Sequence, residues 1–263
     1  MKNLLVDVGN TETVVGLADP DALEPERSWR YSTPIARTGD ELRLLLSGFL
    51  GEAGIAGDGI GRAVIASVVP VATDRLLAAL SRWGIAEVLV VDAGTALPIQ
   101  LDVEEPRTVG PDRIVNTLAA ARLYGRDTVV VDLGTATTYD VITGDGVFKG
   151  GVIAPGLRAG MEWLGARTAK LPSVQFRAPE RVIGRRTEDC LESGIFYSAV
   201  DAIDGIVTRI EREWEGDELW VVATGGYAAI VADHSRVIAE VAPNLTLTGL
   251  QIAGNHMAGT GPV

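Results

Sequence analysis

The chain has 263 residues, 47% of them hydrophobic and 22% charged, which is the composition of a globular protein with one large or two ordinary domains. Its formal net charge of −12 argues against a nucleic-acid-binding surface, which requires a basic patch. The single cysteine, Cys190, excludes an internal disulfide framework and favours a reducing compartment.

The N-terminus does not resemble a secretion signal, because Asp7 and Gly9 interrupt its apolar run almost at once. The longest uncharged stretches are too short to cross a bilayer. We therefore predict a cytoplasmic protein that binds neither membrane nor nucleic acid.

The first half of the chain is predicted to begin with strands and to continue with helices. Apolar runs predict strands, and apolar residues three or four positions apart predict helices. The predicted strands are residues 4–9, 13–17, 27–32, 62–67 and 88–91, and the predicted helices are residues 40–50, 73–83 and 112–124.

The second half repeats this order. Strands are predicted at residues 128–132, 138–143, 147–153 and 219–223, and helices are predicted to begin at Pro155, to span 186–214, to follow Gly226 and to begin at Leu247. The repetition predicts a duplicated α/β fold whose halves meet near residues 124–127.

The predicted helix over residues 186–214 contains Gly194 and Gly205, which favour two helices or one bent helix. Its apolar residues at helical spacing predict one buried stripe. The members of that stripe are Ile195, Ala199, Ala202, Ile206, Ile210 and Trp214.

One motif occurs twice, half a chain apart. Residues 7–11 and residues 132–138 each follow an aliphatic strand and place Asp-x-Gly ahead of hydroxyl side chains. Glycine lets an anion approach the backbone closely, and successive N–H groups in such a turn bind phosphate. A single copy would be read as an ordinary hairpin turn. The second copy favours a phosphate-binding interpretation.

Asp7 and Asp132 would repel a phosphate unless a cation lay between the two charges. We therefore interpret both aspartates as holders of a cation, either directly or through water.

Residues 110–113, Gly-Pro-Asp-Arg, precede a predicted helix. Asp112 could simply stabilise the helix N-terminus through the helix dipole. It could equally accept a proton from a substrate hydroxyl, while Arg113 binds a carboxylate. The residues by themselves leave these two roles level.

Two glycine-rich segments end predicted strands. Residues 150–156 could serve packing, or could bring a backbone close to an anionic ligand, which we favour slightly. Residues 224–226 suggest a contact with a nucleoside, but a motif of three residues is weak evidence. The chain contains no GxxxxGK[ST] phosphate loop.

Together these segments resemble type III pantothenate kinases, which belong to the actin-like acetate and sugar kinase superfamily. The resemblance covers nearly the whole chain and rests on six motifs in order, at residues 7–11, 106–116, 131–138, 150–156, 169–172 and 223–226. It implies two ribonuclease H-like (actin-like ATPase) lobes with a cleft between them, at residues 1–124 and 125–263.

The resemblance also implies the reaction, which is ATP-dependent phosphorylation of pantothenate. Asp112 would be the general base, and pantothenate would contact Gly110, Pro111, Asp112, Arg113 and Thr187. The phosphates of ATP would be held by Asp7, Val8, Gly9, Asn10, Thr11, Glu12, Thr13, Val14 and Thr135.

The same resemblance implies two cations and a homodimer. Mg²⁺ would accompany ATP near Asp7, and Asp132 would hold a monovalent cation, either potassium or ammonium. Thr187 would reach pantothenate from the partner subunit. The chain departs from the family at Pro111, Val103 and Gly160, where alanine, tyrosine and serine are usual. Two alternatives stay open: a regulatory protein with this fold, and a kinase for another small hydroxy acid.

Overall fold

A computed structural model describes residues 1–159, 161, 172 and 174–259. The departure at Gly160 and residues 169–171 of one family motif lie outside this described part. The described chain forms two compact units: unit 1 contains residues 1–123 and the segment from Asn244 onward, and unit 2 is Tyr124–Pro243.

Unit 1 is built on a five-stranded sheet in the order β3-β2-β1-β4-β5. β1 is antiparallel to β2 and parallel to β4. Leu4, Leu5 and Val6 at its centre have no solvent exposure. The strands are β1 (Lys2–Val8), β2 (Glu12–Ala18), β3 (Arg27–Ser32), β4 (Ile60–Ser67) and β5 (Glu87–Val91).

The first half of the chain contains three helices: α1 (Gly39–Glu52) before β4, α2 (Pro70–Ser81) between β4 and β5, and α3 (Pro111–Tyr124) after β5. α1 begins with a capping box, in which Thr38 and Glu41 bond each other's backbone N–H. α2 begins three residues earlier than predicted, because Pro70 occupies its first turn, where proline needs no N–H partner. A short strand, β6 (Gln100–Leu101), precedes α3.

Unit 2 repeats the plan of unit 1. Its strands run in the order β11-β10-β7-β8-β9, with β7 antiparallel to β8 and parallel to β10. They are β7 (Thr128–Leu133), β8 (Ala136–Ile142), β9 (Val147–Pro155), β10 (Trp220–Thr224) and β11 (Glu240–Val241). The predicted duplicated α/β fold is therefore confirmed.

Pro155 is the last residue of β9, in register with Ala136, and helical backbone starts only at Leu157. The prediction that Pro155 begins a helix was wrong by two residues. A proline at a strand end removes no ladder bond that the sheet needs.

The long helix of unit 2, α4 (Thr187–Glu213), is continuous, so the prediction of two separate helices was wrong. Its buried stripe is Phe196, Val200, Ile203 and Val207, packed with strands β7, β8 and β10. The predicted stripe lies beside it and is only partly buried. Both stripes are apolar, so spacing alone does not identify the covered one. A short helix, α5 (Ala228–Ala232), follows β10.

The last described helix, α6 (Leu245–Met257), belongs to unit 1. It therefore falls outside the predicted second lobe, residues 125–263. The cause is packing between residues far apart in sequence: Gln251 bonds Asn3 of β1, and Gly254 lies against Val64 of β4.

Candidate active site

The two aspartates of the repeated motif occupy equivalent positions. Asp7 is the second-last residue of β1, flanked by Val14 on the antiparallel side and Ala66 on the parallel side. Asp132 is the second-last residue of β7, flanked in the same way by Thr138 and Thr224. Both are half-buried. The sequence repeat is thus a structural repeat.

The turns that follow the aspartates are alike but differ in length. Gly9 N–H donates to the Glu12 carbonyl at 3.1 Å, and Gly134 N–H donates to the Ala136 carbonyl at 3.1 Å. The first turn is one residue longer. Its Asn10 and Glu12 are exposed, as is Thr135 in the second turn.

Two predicted phosphate contacts lie on the covered side of the sheet. Val8 is 1% exposed and packs in the core of unit 1, and Thr13, directly opposite it on β2, is 0% exposed. The Thr13 hydroxyl is 2.9 Å from the Thr33 hydroxyl. Neither side chain can therefore touch a ligand, which restricts the predicted contacts here to neighbouring backbone and to the exposed side chains.

The N-terminus of α3 fixes the carboxylate of Asp112. The Gly110 carbonyl accepts the Ile114 N–H at 3.1 Å and so begins the helix. Asp112 Oδ1 accepts the Arg113 N–H at 2.9 Å. A Cβ added at Gly110 would collide with that same Oδ1. A side chain at position 110 would therefore displace the Asp112 carboxylate from this place.

Asp7 and the start of α3 lie on the same face of the unit 1 sheet. Side chains alternate along β1, so Asp7 shares the face of Asn3, which bonds Gln251 of α6. α6 in turn packs against α3, where the Gly249 Cα touches the Val115 backbone. The opposite face carries Val8 and the core formed with α1 and α2.

A chain of contacts joins the first turn to the start of α3. Val68, just after β4, donates its N–H to the Val8 carbonyl at 3.1 Å. The position of a Cβ on Gly110 lies 3.8 Å from Val68 Cγ1. Within unit 1 the structure therefore brings together the predicted phosphate turn and the predicted base, Asp112.

Two glycines pack against the second turn in unit 2. Gly225 has φ +93°, and a Cβ there would lie 2.7 Å from the Leu133 carbonyl and 2.8 Å from Asp132 Oδ1. A Cβ at Gly156 would collide with the Thr135 carbonyl. The backbone after β10 thus lies directly beside the carboxylate of Asp132.

The glycines of residues 150–156 have structural reasons that the sequence did not reveal. Besides Gly156, Gly151 touches the Tyr139 backbone, where the β8–β9 register shifts. Close packing therefore gives Gly151 and Gly156 a structural reason, and the interpretation that this segment borders an anion stays a prediction.

Thr187 is exposed at the first position of α4, in unit 2. The residues just before this helix include two exposed apolar side chains, Val182 at 64% and Ile183 at 84% exposure. A cavity of about 580 Å³ lies along the same helix and is lined by residues such as Leu191, Ile195, Ala199 and Ala202.

Hard cations prefer oxygen ligands, and the half-buried carboxylates of Asp7 and Asp132 supply them beside backbone turns. A side chain at position 225 would crowd the Asp132 carboxylate, because a Cβ there would lie 2.8 Å from Oδ1. Over residues 1–159, 161, 172 and 174–259, no group of three or more His, Cys, Asp or Glu side chains is placed to hold a metal.

No helix in the described part of the chain is long and apolar enough to span a membrane.

Sequence reasoning did not identify Thr33 or Val68 as neighbours of the site. Thr33 N–H donates to the Thr11 carbonyl at 3.0 Å. Its one signal in the sequence is its place immediately after the third strand, which would have been informative only with the sheet register known.

Comparison with known proteins agrees with the resemblance noted from the motifs. The sequence model of the family described as type III pantothenate kinase matches residues 3–209. A type III pantothenate kinase from Streptomyces avermitilis is 41% identical over 256 residues, covering 95% of this chain and 96% of the relative. One from Acidothermus cellulolyticus is 43% identical over 250 residues, with the same coverage.

Solved structures share the fold at low identity. A protein described as a 2-dehydro-3-deoxygalactonokinase from Sinorhizobium meliloti matches with a TM-score of 0.62 at 14% identity, covering 99% of this chain and 98% of that one. The ethanolamine utilization protein EutJ from Carboxydothermus hydrogenoformans matches with a TM-score of 0.55 at 18% identity, covering 96% and 89%. These likenesses concern the fold alone.

Proposed function

The chain belongs to the type III pantothenate kinase family, and from that premise we propose that it transfers the γ-phosphoryl group of ATP to pantothenate. The product is 4′-phosphopantothenate, formed at the first step of coenzyme A biosynthesis. The observation that carries the assignment is the fixed Asp112 carboxylate at the start of α3, on the same sheet face as Asp7. These are the positions of the family's motifs.

Asp112 is the general base of the proposed reaction. Its Oδ1 is engaged by the Arg113 N–H, and we assign Oδ2 to the terminal hydroxyl of pantothenate. The hydroxyl oxygen of pantothenate forms a bond to the γ-phosphorus, and its proton passes to Asp112. At the same time the bond between the γ-phosphorus and the bridging oxygen of ADP breaks. Gly110 and Pro111 line the pantothenate pocket, and the Arg113 guanidinium binds its carboxylate.

The first turn binds phosphate through its backbone N–H groups and the side chains of Asn10 and Thr11, and we assign the same role to the exposed Thr135. Asp7 would hold the Mg²⁺ that accompanies ATP, and Asp132 would hold potassium or ammonium. These cations supply the charge neutralisation that phosphoryl transfer needs. The residues named here position the substrates.

The enzyme is proposed to act as a cytoplasmic homodimer, with Thr187 contacting pantothenate bound to the partner subunit. Support comes from the half-buried apolar face of α4 and from exposed Ile183 beside Thr187. Apolar surface of this kind marks protein interfaces. The charge of −12 speaks against a nucleic-acid partner.

A coupled ADP-release assay with ATP, Mg²⁺ and pantothenate tests the proposal. We expect pantothenate-dependent turnover that requires potassium or ammonium over sodium, and at least a 100-fold loss in Asp112→Asn. Absence of turnover in every salt, from folded protein, would contradict the proposal. A panel of other small hydroxy acids then distinguishes a related kinase from a regulatory protein.

A further inference from the structure

Thr33 makes two bonds to the first phosphate turn. Its backbone N–H donates to the Thr11 carbonyl at 3.0 Å, and its hydroxyl lies 2.9 Å from the hydroxyl of Thr13. Thr13 is fully buried, so its hydroxyl is held away from water. Thr33 therefore bonds both Thr11 within the turn and Thr13 on β2, the strand that follows the turn.

The residues around Thr33 hold it in place. Ser32 pairs with Glu12 at the end of the sheet register. Arg37 Nη1 donates to the Ser32 carbonyl at 2.6 Å, and its guanidinium lies 5.2 Å from the centre of the Tyr31 ring. Tyr31 lies opposite Thr13 on β3. Burial raises the pKa of the Tyr31 hydroxyl.

In the second turn, the position equivalent to Thr33 is occupied by a glycine. The first residue of β2, Glu12, pairs with Ser32, and the first residue of β8, Ala136, pairs with Pro155. The residues that follow, Thr33 and Gly156, are therefore equivalent. Gly156 packs directly on the Thr135 carbonyl, where a Cβ would collide.

The first turn is one residue longer than the second and so has more backbone freedom to lose when it binds an anion. N–H groups bind phosphate best when they are already oriented, because ordering them on binding costs free energy. Thr33 fixes the carbonyl of Thr11 and thereby the plane of the Thr11–Glu12 peptide, which includes the Glu12 N–H.

We propose that Thr33 is a positioning residue for ATP: its amide and hydroxyl hold residues 9–13 in the conformation that binds phosphate. It acts from the core side of the sheet, opposite Asp7, and does not touch the nucleotide. The inference rests on the proposed function, since it takes the first turn as the phosphate site.

Four variants test the role of the hydroxyl pair: Thr33→Val, Thr33→Ser, Thr13→Val and the double Thr13→Val/Thr33→Val. Thr33→Val keeps the amide bond and the shape but removes the hydroxyl. We expect its KM for ATP to rise about three- to tenfold, the effect of losing one hydrogen bond. Thr33→Ser should restore wild-type behaviour. The double variant should be no worse than the poorer single variant, because the two hydroxyls act as a pair.

A positioning role and a merely structural one give different readouts. Positioning predicts an unchanged KM for pantothenate and a Kd for a non-hydrolysable ATP analogue that rises in parallel with the KM for ATP. A lower melting temperature with unchanged nucleotide KM and Kd would overturn the inference. Thr33→Ala serves as the second variant if Thr33→Val does not fold.

The same binding measurement separates failure of the inference from failure of the proposed function. If the wild-type protein binds the analogue and Thr33→Val weakens binding, but no pantothenate is phosphorylated, the proposed function fails and the inference holds. If pantothenate is phosphorylated and Thr33→Val is indistinguishable from wild type, the inference fails alone.

Discussion

At the scale of single residues, the carboxylate of Asp112 depends on the absence of a side chain two positions earlier. Gly110 is not needed for an unusual backbone angle, because its φ lies outside the left-handed region. A side chain there would instead displace the Asp112 carboxylate, because Asp112 Oδ1 occupies the place of a Cβ. The Gly-x-Asp spacing at this helix start therefore has a steric reason that is independent of catalysis.

We expect Gly110→Ala to displace the Asp112 carboxylate and to lower kcat by about 10- to 100-fold, which is less than the effect of removing the base itself. Steady-state kinetics of ADP release measures this effect. Gly48→Ala is the matched control, since Gly48 lies in α1 with nothing within 4 Å of an added Cβ. It should keep full activity and gain about 0.5–1 kcal/mol of stability. Equal kinetics for the two variants would contradict the steric account.

The residues of the site differ in how far sequence could identify them. Asp7, Asp132 and Asp112 stand in local patterns, a strand followed by Asp-x-Gly and a helix start, so their positions could be predicted. Thr33 could not, because its partners Thr11 and Thr13 lie about 20 residues away across a strand pair. The burial of the Thr13 side chain could not be predicted either, because the face of β2 on which it lies is set by the pairing of β2 with its neighbours.

At the scale of elements, one buried amide of α6 bonds two separate segments of unit 1. Gln251 has no solvent exposure, and its Nε2 donates to the carbonyls of Asp19, Pro20 and Ala22 at 2.8, 3.1 and 2.9 Å. Its Oε1 accepts from Asn3 Nδ2 at 3.0 Å. A single side chain thus joins the helix to β1 and to the loop after β2.

We expect Gln251→Leu to lower the free energy of unfolding by about 1–3 kcal/mol, because it leaves the buried Asn3 amide without its partner and removes the bonds to the loop after β2. Urea denaturation measures the change. His256→Leu, at an exposed position on the same helix, should change stability by less than about 0.5 kcal/mol. A similar loss in both variants would show that helix propensity, and not the buried amide, is responsible.

The spacing of apolar residues in α4 does not determine which side of the helix is buried. Residues on two adjacent stripes of this helix are apolar, and the chain buries the one that contains Phe196 and Val200. The other, with Ile195 and Ala199, lines the cavity. A broad apolar arc predicts a helix and its general orientation, but only the neighbouring strands decide which part of the arc is covered.

At the scale of the whole molecule, the half-covered arc of α4 is the surface that we propose joins two subunits. We expect Ile195→Glu to convert a dimer to a monomer, because a charge buried in an apolar interface is strongly unfavourable. Light scattering after gel filtration measures the mass. The KM for pantothenate should rise with it, since Thr187 of the partner subunit would be lost from the site.

Leu123→Glu is the control for that experiment, because it places the same charge on an exposed apolar position at the end of α3. It should remain dimeric with an unchanged KM. A wild-type protein that is monomeric and fully active would contradict the proposed role of the α4 surface.

The duplicated plan itself was predictable, since each half repeats the same order of strands, turns and helices. The placement of α6 was not, because it depends on contacts between residues near 250 and residues near 3. Nothing in the local pattern of α6 distinguishes a helix that stays with its neighbours in sequence from one that returns to the first unit.

The return of α6 has a consequence for synthesis on the ribosome. Domains usually fold in the order in which they are made, yet unit 1 lacks α6 until residues 245–257 have been translated. Unit 2, a single continuous segment, is finished first. Unit 1, whose synthesis begins first, is therefore completed last. The face of β1 that carries Asp7 stays uncovered by α6 until unit 2 has been synthesised.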